Sequence, residues 1–158
     1  MTIALLILHG LIAVVLLGAI THQAASVVRT ARARPASTTR RTFLTRYSQV
    51  SDRSFTAAVA VLFVLSVALG GTIYPAYRID VRIPFEEMGL AWAVGLFEVK
   101  EHWGAVGLGV VPLYLKTWRS EDFARRQTPR MALTLLLAII VWTDFLVGHL
   151  LNNIRGLG

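Results

Sequence analysis

The sequence predicts an all-α integral membrane protein: an antiparallel bundle of four transmembrane helices, with a short interfacial segment before the third. Three observations predict it. Of 158 residues, 55% are hydrophobic and 16% charged, whereas soluble globular chains hold about 45–50% apolar and about 25% charged residues. The apolar residues gather into four runs near the length of about 20 residues that a membrane span needs. Period-2 alternation is missing and an open sheet edge cannot face lipid, so the runs read as helices. The chain has no cysteine, which excludes disulfides, thiolate zinc sites, iron–sulfur clusters and cysteine nucleophiles.

The first span is expected at about 3–22. Met1 and Thr2 place no basic segment before it, so it reads as a retained helix and not as a cleavable signal. A loop at 35–39 and a short surface helix at 42–50 follow. The second span is expected at about 55–75, capped by Ser54 and stopped by Gly70, Gly71 and Pro75. The third run begins near Leu90, is broken by Glu98, Lys100, Glu101 and His102, and resumes to Leu115. It reads as an interfacial stretch leading into a span at about 98–117, with Glu98 and Lys100 at headgroup level. Inside that run, Gly104, Gly107 and Gly109 suit close helix packing. The fourth span is expected at about 131–151, and residues 1–158 form a single membrane domain. No phosphate loop, dinucleotide fingerprint or Ser/His/Asp order is present, so no catalytic residue is assigned.

Charge sets the expected orientation. The first connection carries Arg29, Arg32, Arg34, Arg40, Arg41, Arg46 and Arg53 against Asp52. The third carries Lys116, Arg119, Arg125, Arg126 and Arg130 against Glu121 and Asp122, while the second holds Arg78 and Arg82 balanced by Asp80, Glu86 and Glu87. Basic loops stay cytoplasmic, so both termini are expected outside, in a bacterial inner membrane. Tyr74 and Tyr77 then belong to an outer aromatic belt and Trp118 to an inner one. Membrane lipid, not nucleic acid, is the expected partner of the basic loops.

Polar residues inside spans are costly and are functional-site candidates by default. At about 1.5 Å per residue, His9 lies roughly 12 Å below the outer surface, His102 roughly 9 Å, Asp144 roughly 10 Å and His149 roughly 3 Å. His22 falls at the opposite face. Three helices thus bring His9, His102 and Asp144 to one level, with Glu98, Glu101 and His149 just above.

Two imidazoles at matching depth on diagonal helices suit a b-type haem, with His9 and His102 as axial ligands and His149 as the substitute. Gly10, Gly104 and Ala105 would leave room for the ring, and Asp144 or Glu101 would hold an imidazole N–H. In general architecture this layout resembles the small integral-membrane b-type cytochromes. The resemblance covers the bundle and no specific motif, and it implies electron transfer with a quinone or a cytochrome as partner. The alternative is a non-haem zinc, manganese or iron site built from Glu98, Glu101, His102 and Asp144, in a metal-binding or assembly factor. Glu98 and His102 share a helical face four residues apart, but the Glu-x-x-His pairs of di-iron bundles are absent. A third reading is an accessory subunit whose polar cluster is an ion-pair network or proton relay. The small size implies other membrane subunits, or a second copy, in every case.

Overall fold

A computed structural model describes residues 2–32, 52–120 and 123–155. Almost all of these residues are helical. The long elements are α1 (Thr2–Arg32), α2 (Asp52–Tyr77), α4 (Ala91–Arg119) and α5 (Phe123–Arg155). A widened π turn (Arg78–Arg82) and the short α3 (Ile83–Glu87) join α2 to α4. The loop expected at 35–39 and the surface helix expected at 42–50 lie outside the described residues.

Each long helix packs against its neighbour in sequence, and α5 closes the ring against α1, so α1 and α4 are diagonal, as are α2 and α5. The start of α1 and the end of α5 share one end with the α2–α4 turn; Arg29, Lys116, Arg119 and Arg130 mark the other. We call these the termini end and the basic end. Among the described residues, three helical stretches are long and apolar enough to cross a membrane: Ile3–Ala31, Phe55–Glu87 and Gln127–Ile154. Helix α4 has the length, at 29 residues, but Glu98, Lys100 and Glu101 in its first half dilute its apolar character.

The core follows heptad spacing. On α4 the inward stripe is Ala93, Phe97, Lys100, Gly104, Gly107, Val111, Tyr114 and Trp118, at alternating intervals of four and three. On α5 it is Arg130, Thr134, Leu137, Val141, Asp144, Gly148 and Leu151, and on α1 it is His9, Ala13, Leu16, Ile20, Gln23 and Val27. This repeat keeps one seam facing its neighbours in a bundle.

Three expected boundaries are corrected. The second helix does not stop at Gly70, Gly71 and Pro75; it runs through them to Tyr77 and then widens into the π turn. Pro75 has no N–H to donate and its ring crowds the carbonyl one turn back, at Gly71, yet the helix continues past it; the π turn lies beyond, where Pro84 faces the same conflict with the Asp80 carbonyl inside that turn. The stop comes at Gly89 (φ 71°), where Leu90 N–H bonds Phe85 O (2.8 Å) and Gly89 N–H bonds Glu86 O (3.0 Å). That pair of bonds is a Schellman closure, which places glycine at the left-handed position. The third helix, in turn, is one continuous element from Ala91, with no separate interfacial stretch ahead of Glu98. The second helix also starts at Asp52, before the expected cap Ser54. Val81 and Phe85 pack on Ala93, Val94 and Leu151, so the α2–α4 turn forms a small second core at the termini end.

Candidate functional site

Two polar levels cross the bundle, separated by apolar side chains. At the basic end, Gln23 of α1 reaches across the diagonal. Its Nε2 donates to Thr56 Oγ1 (3.1 Å), and its Oε1 accepts from the Tyr114 hydroxyl. Trp118 Nε1 donates to Thr134 Oγ1 (3.2 Å). Arg130, 4% exposed, donates to Thr117 O (3.0 Å) and Ser120 O (2.6 Å) and lies over the Trp118 ring. A guanidinium on the last carbonyls of α4 answers both their unmet hydrogen bonds and the negative end of the helix dipole. This level reads as structural, since its donors and acceptors meet one another.

The level nearer the termini end differs. His9 sits on α1 against α2, with its Cε1 3.7 Å from where a Gly70 side chain would begin, and its Nδ1 is buried without a hydrogen-bond partner. Asp144 points into the bundle from α5. Its Oδ2 and Val67 of α2 both lie within 4.0 Å of where a Gly104 side chain would begin, and its Oδ1 is also buried and unpartnered. Lys100 occupies the α4–α5 seam: its Cε is 3.5 Å from the corresponding point on Gly148, and its ammonium leans over the Phe97 ring, 5.4 Å from the centroid. Ammonium groups lean this way because the stem stays in apolar surroundings while the charge seeks the wetter end. Lys100 acts electrostatically on both Asp144 and His9, yet no ion pair within 4 Å joins it to the carboxylate. Tyr77 stacks on Phe97 at 3.5 Å, and its hydroxyl is a third buried, unpartnered atom. Unpartnered polar atoms are few in folded proteins and each calls for an explanation. Two of the three, on His9 and Asp144, lie within the electrostatic reach of Lys100.

Of the residues the sequence singled out, the structure turns His9 and Asp144 inward and leaves the others outside. His102 is exposed, with Nδ1 2.6 Å from Glu98 O. It lies two positions from both Lys100 and Gly104, which is about 200° around a helix, so it faces away from the seam. His149 is exposed and stacks on Phe145. The Glu98 side chain turns to Arg82 at 3.6 Å, beside the Arg82–Glu86 pair at 2.7 Å, and Glu101 is exposed. His22, at the basic end, packs on Phe55.

These placements test the expected cofactors. A bis-imidazole haem inside one chain needs His9 and a second ring facing the same slot, but His102 and His149 both face outward. The donor set does not fit it. Nor do Glu98, Glu101, His102 and Asp144 converge as a zinc, manganese or iron site; among the described residues no group of three or more His, Asp or Glu side chains does.

Sequence reasoning missed Lys100 and Arg130 as interior residues, and missed Gln23, Tyr114 and Thr134 altogether. The available signal was the heptad register, which includes all five and excludes His22, His102 and His149. No protein-family model, curated protein or solved structure matches the chain, so its function is argued from this geometry.

Proposed function

We propose that this chain is a four-span protein of the bacterial inner membrane, with α4 as the fourth span and both termini outside. We propose further that His9, Lys100 and Asp144 form a proton-exchange site in its outer half. The reading is carried by one observation: Asp144 Oδ1 and His9 Nδ1 are buried, unpartnered, and within the electrostatic reach of a lysine that closes no ion pair. Ionisable side chains at bilayer depth mark proton relays and substrate pathways, and an acid and an imidazole with open valences can take up and release a proton. Lys100 keeps the ionised carboxylate affordable in that setting, while Tyr77 offers a hydroxyl at the outer rim. Small proton-exchanging subunits of this kind work alongside other membrane subunits.

Treatment of membranes with a lipid-soluble carbodiimide tests the site, because this reagent modifies protonated carboxyls in apolar surroundings. Labelling is expected at Asp144, falling as the pH is raised and lost in Asp144→Asn. Labelling confined to Glu98 and Glu101 would refute the site. A reduced-minus-oxidised spectrum of the same membranes provides the check on electron transfer: a haem band dependent on His9 and His102 would return the chain to that function.

The topology has its own test. The basic first and third connections predict that a periplasm-active reporter at the C-terminus is active and a cytoplasm-active one silent. The reverse pattern would invert the bundle and place the His9 level on the cytoplasmic side.

A further inference from the structure

Between the two polar levels lies a layer with no polar side chain from the inward stripes of α1, α4 and α5. Leu16 of α1, Phe63 of α2, Val111 of α4 and Leu137 and Val141 of α5 belong to one contacting cluster, each at most 6% exposed. The layer is tight as well as apolar. The Phe63 ring points its tip at the bare backbone of Gly107; a side chain there would begin on top of Cζ, with Cε1 2.9 Å away. The levels it separates are regular: His9 and Gln23 are 14 residues apart, as are Lys100 and Tyr114, which is roughly 21 Å of helix in each case.

We infer that Phe63, seated on Gly107, is the barrier that keeps the His9–Lys100–Asp144 level from communicating with the Gln23–Tyr114 level. The inference rests on the proton-exchange reading for the purpose of the barrier, but not for its existence. A proton moving between levels needs a chain of waters or polar groups, and the cluster supplies neither. Exchange at Asp144 is therefore confined to the termini end, and the protein does not conduct across the membrane at rest. Above the layer His9 Nδ1 and Asp144 Oδ1 are buried without hydrogen-bond partners; below it Gln23, Thr56 and Tyr114 bond one another. This division is what a one-sided site requires.

The experiment reconstitutes the full chain into liposomes with a trapped pH-sensitive dye, and follows the decay of an imposed pH gradient with charge balanced by potassium and valinomycin. Wild-type vesicles are expected to hold the gradient as protein-free ones do. Phe63→Ala is expected to speed its decay by at least about tenfold, equivalent to about 1.4 kcal/mol off the barrier, whereas Phe63→Leu, which stays large and apolar, is not. Val141→Ser breaches the same layer from α5 and gives the result independently should Phe63→Ala fail to fold. Equal decay in wild type and both breached variants, fast or slow, overturns the barrier. Adding Asp144→Asn to a leaking variant separates the two claims. A leak that disappears supports both, and a leak that persists supports the barrier while refuting proton exchange at Asp144.

Discussion

Gly107→Ala is expected to lower the thermal midpoint of the detergent-solubilised protein well below the wild type, whereas Gly104→Ala and Gly70→Ala shift it little. All three add one methyl group to a buried or half-buried position of the same bundle. The difference is the space each methyl meets. At Gly104 the nearest atom is Asp144 Oδ2 at 3.8 Å, and at Gly70 it is His9 Cε1 at 3.7 Å, both ordinary contacts. At Gly107 the added carbon collides with the tip of the Phe63 ring: Cζ is nearest, and Cε1 and Cε2 are 2.9 and 3.1 Å away. Phe63 is 2% exposed and held by the surrounding cluster, so the ring cannot swing aside and α2 must part from α4. Overpacking of this kind costs about 1–3 kcal/mol, and in a membrane bundle it also loses the close backbone approach that small residues provide. Phe63→Leu in the Gly107→Ala background shortens the offending group and should recover much of the loss. A midpoint for Gly107→Ala no lower than that of Gly104→Ala would mean that the α2–α4 contact is not as close as described.

The helical class was legible in the sequence because long apolar runs without period-2 alternation leave helices as the only credible reading, and the described residues are almost all helical, with three stretches apolar and long enough to cross a membrane. Two boundaries were not. Gly70, Gly71 and Pro75 ordinarily mark an end, but the helix passes through them to Tyr77, and Val81 and Phe85 find a core beyond the π turn at Arg78–Arg82. Tertiary packing overrode the local signal. The break at Glu98–His102 misled in the same way, since Glu98, Glu101 and His102 lie on the outside of a helix whose inward stripe passes through Phe97, Lys100 and Gly104. A stretch can be polar on average and still bury one face.

The site was half legible. Depth along the spans identified the level shared by His9 and Asp144, but depth carries no information about azimuth. His102 sits close to the right level on the wrong face, and Lys100, two residues away, is the one that enters the seam. Register supplies the missing coordinate. The 4–3 spacing through Gly104, Gly107, Val111 and Tyr114 predicts Lys100 inside and His102 outside from sequence alone. The unpartnered state of His9 Nδ1, Tyr77 Oη and Asp144 Oδ1 has no sequence signature, because it depends on how far apart four helices hold their side chains.

Lys100→Met and Asp144→Leu are each expected to destabilise the bundle strongly, and the double variant to be more stable than either. Each single change removes one member of an opposed pair in the α4–α5 seam and leaves the other charge inside without compensation. The cost of that orphan is below the about 3–5 kcal/mol lost when a closed buried pair is broken, because no ion pair within 4 Å joins the two, but it exceeds what the new apolar contacts return. Replacing both removes the desolvation cost together with the attraction, and apolar pairs of similar volume in such positions are often neutral or better. The absence of a closed ion pair makes the gain larger here: Asp144 Oδ1 has no hydrogen bond to lose, and the Lys100 stem already rests on Gly148 with its ammonium over Phe97. Thermal midpoints of the four proteins in one detergent give the coupling, expected at about 0.5–3 kcal/mol in favour of the double variant. Additive losses would mean that the two charges do not sense each other across the seam. Should the double variant prove as stable as the wild type and yet take no carbodiimide label, stability would not be what these two charges serve, and the pair would be maintained for the proton it handles.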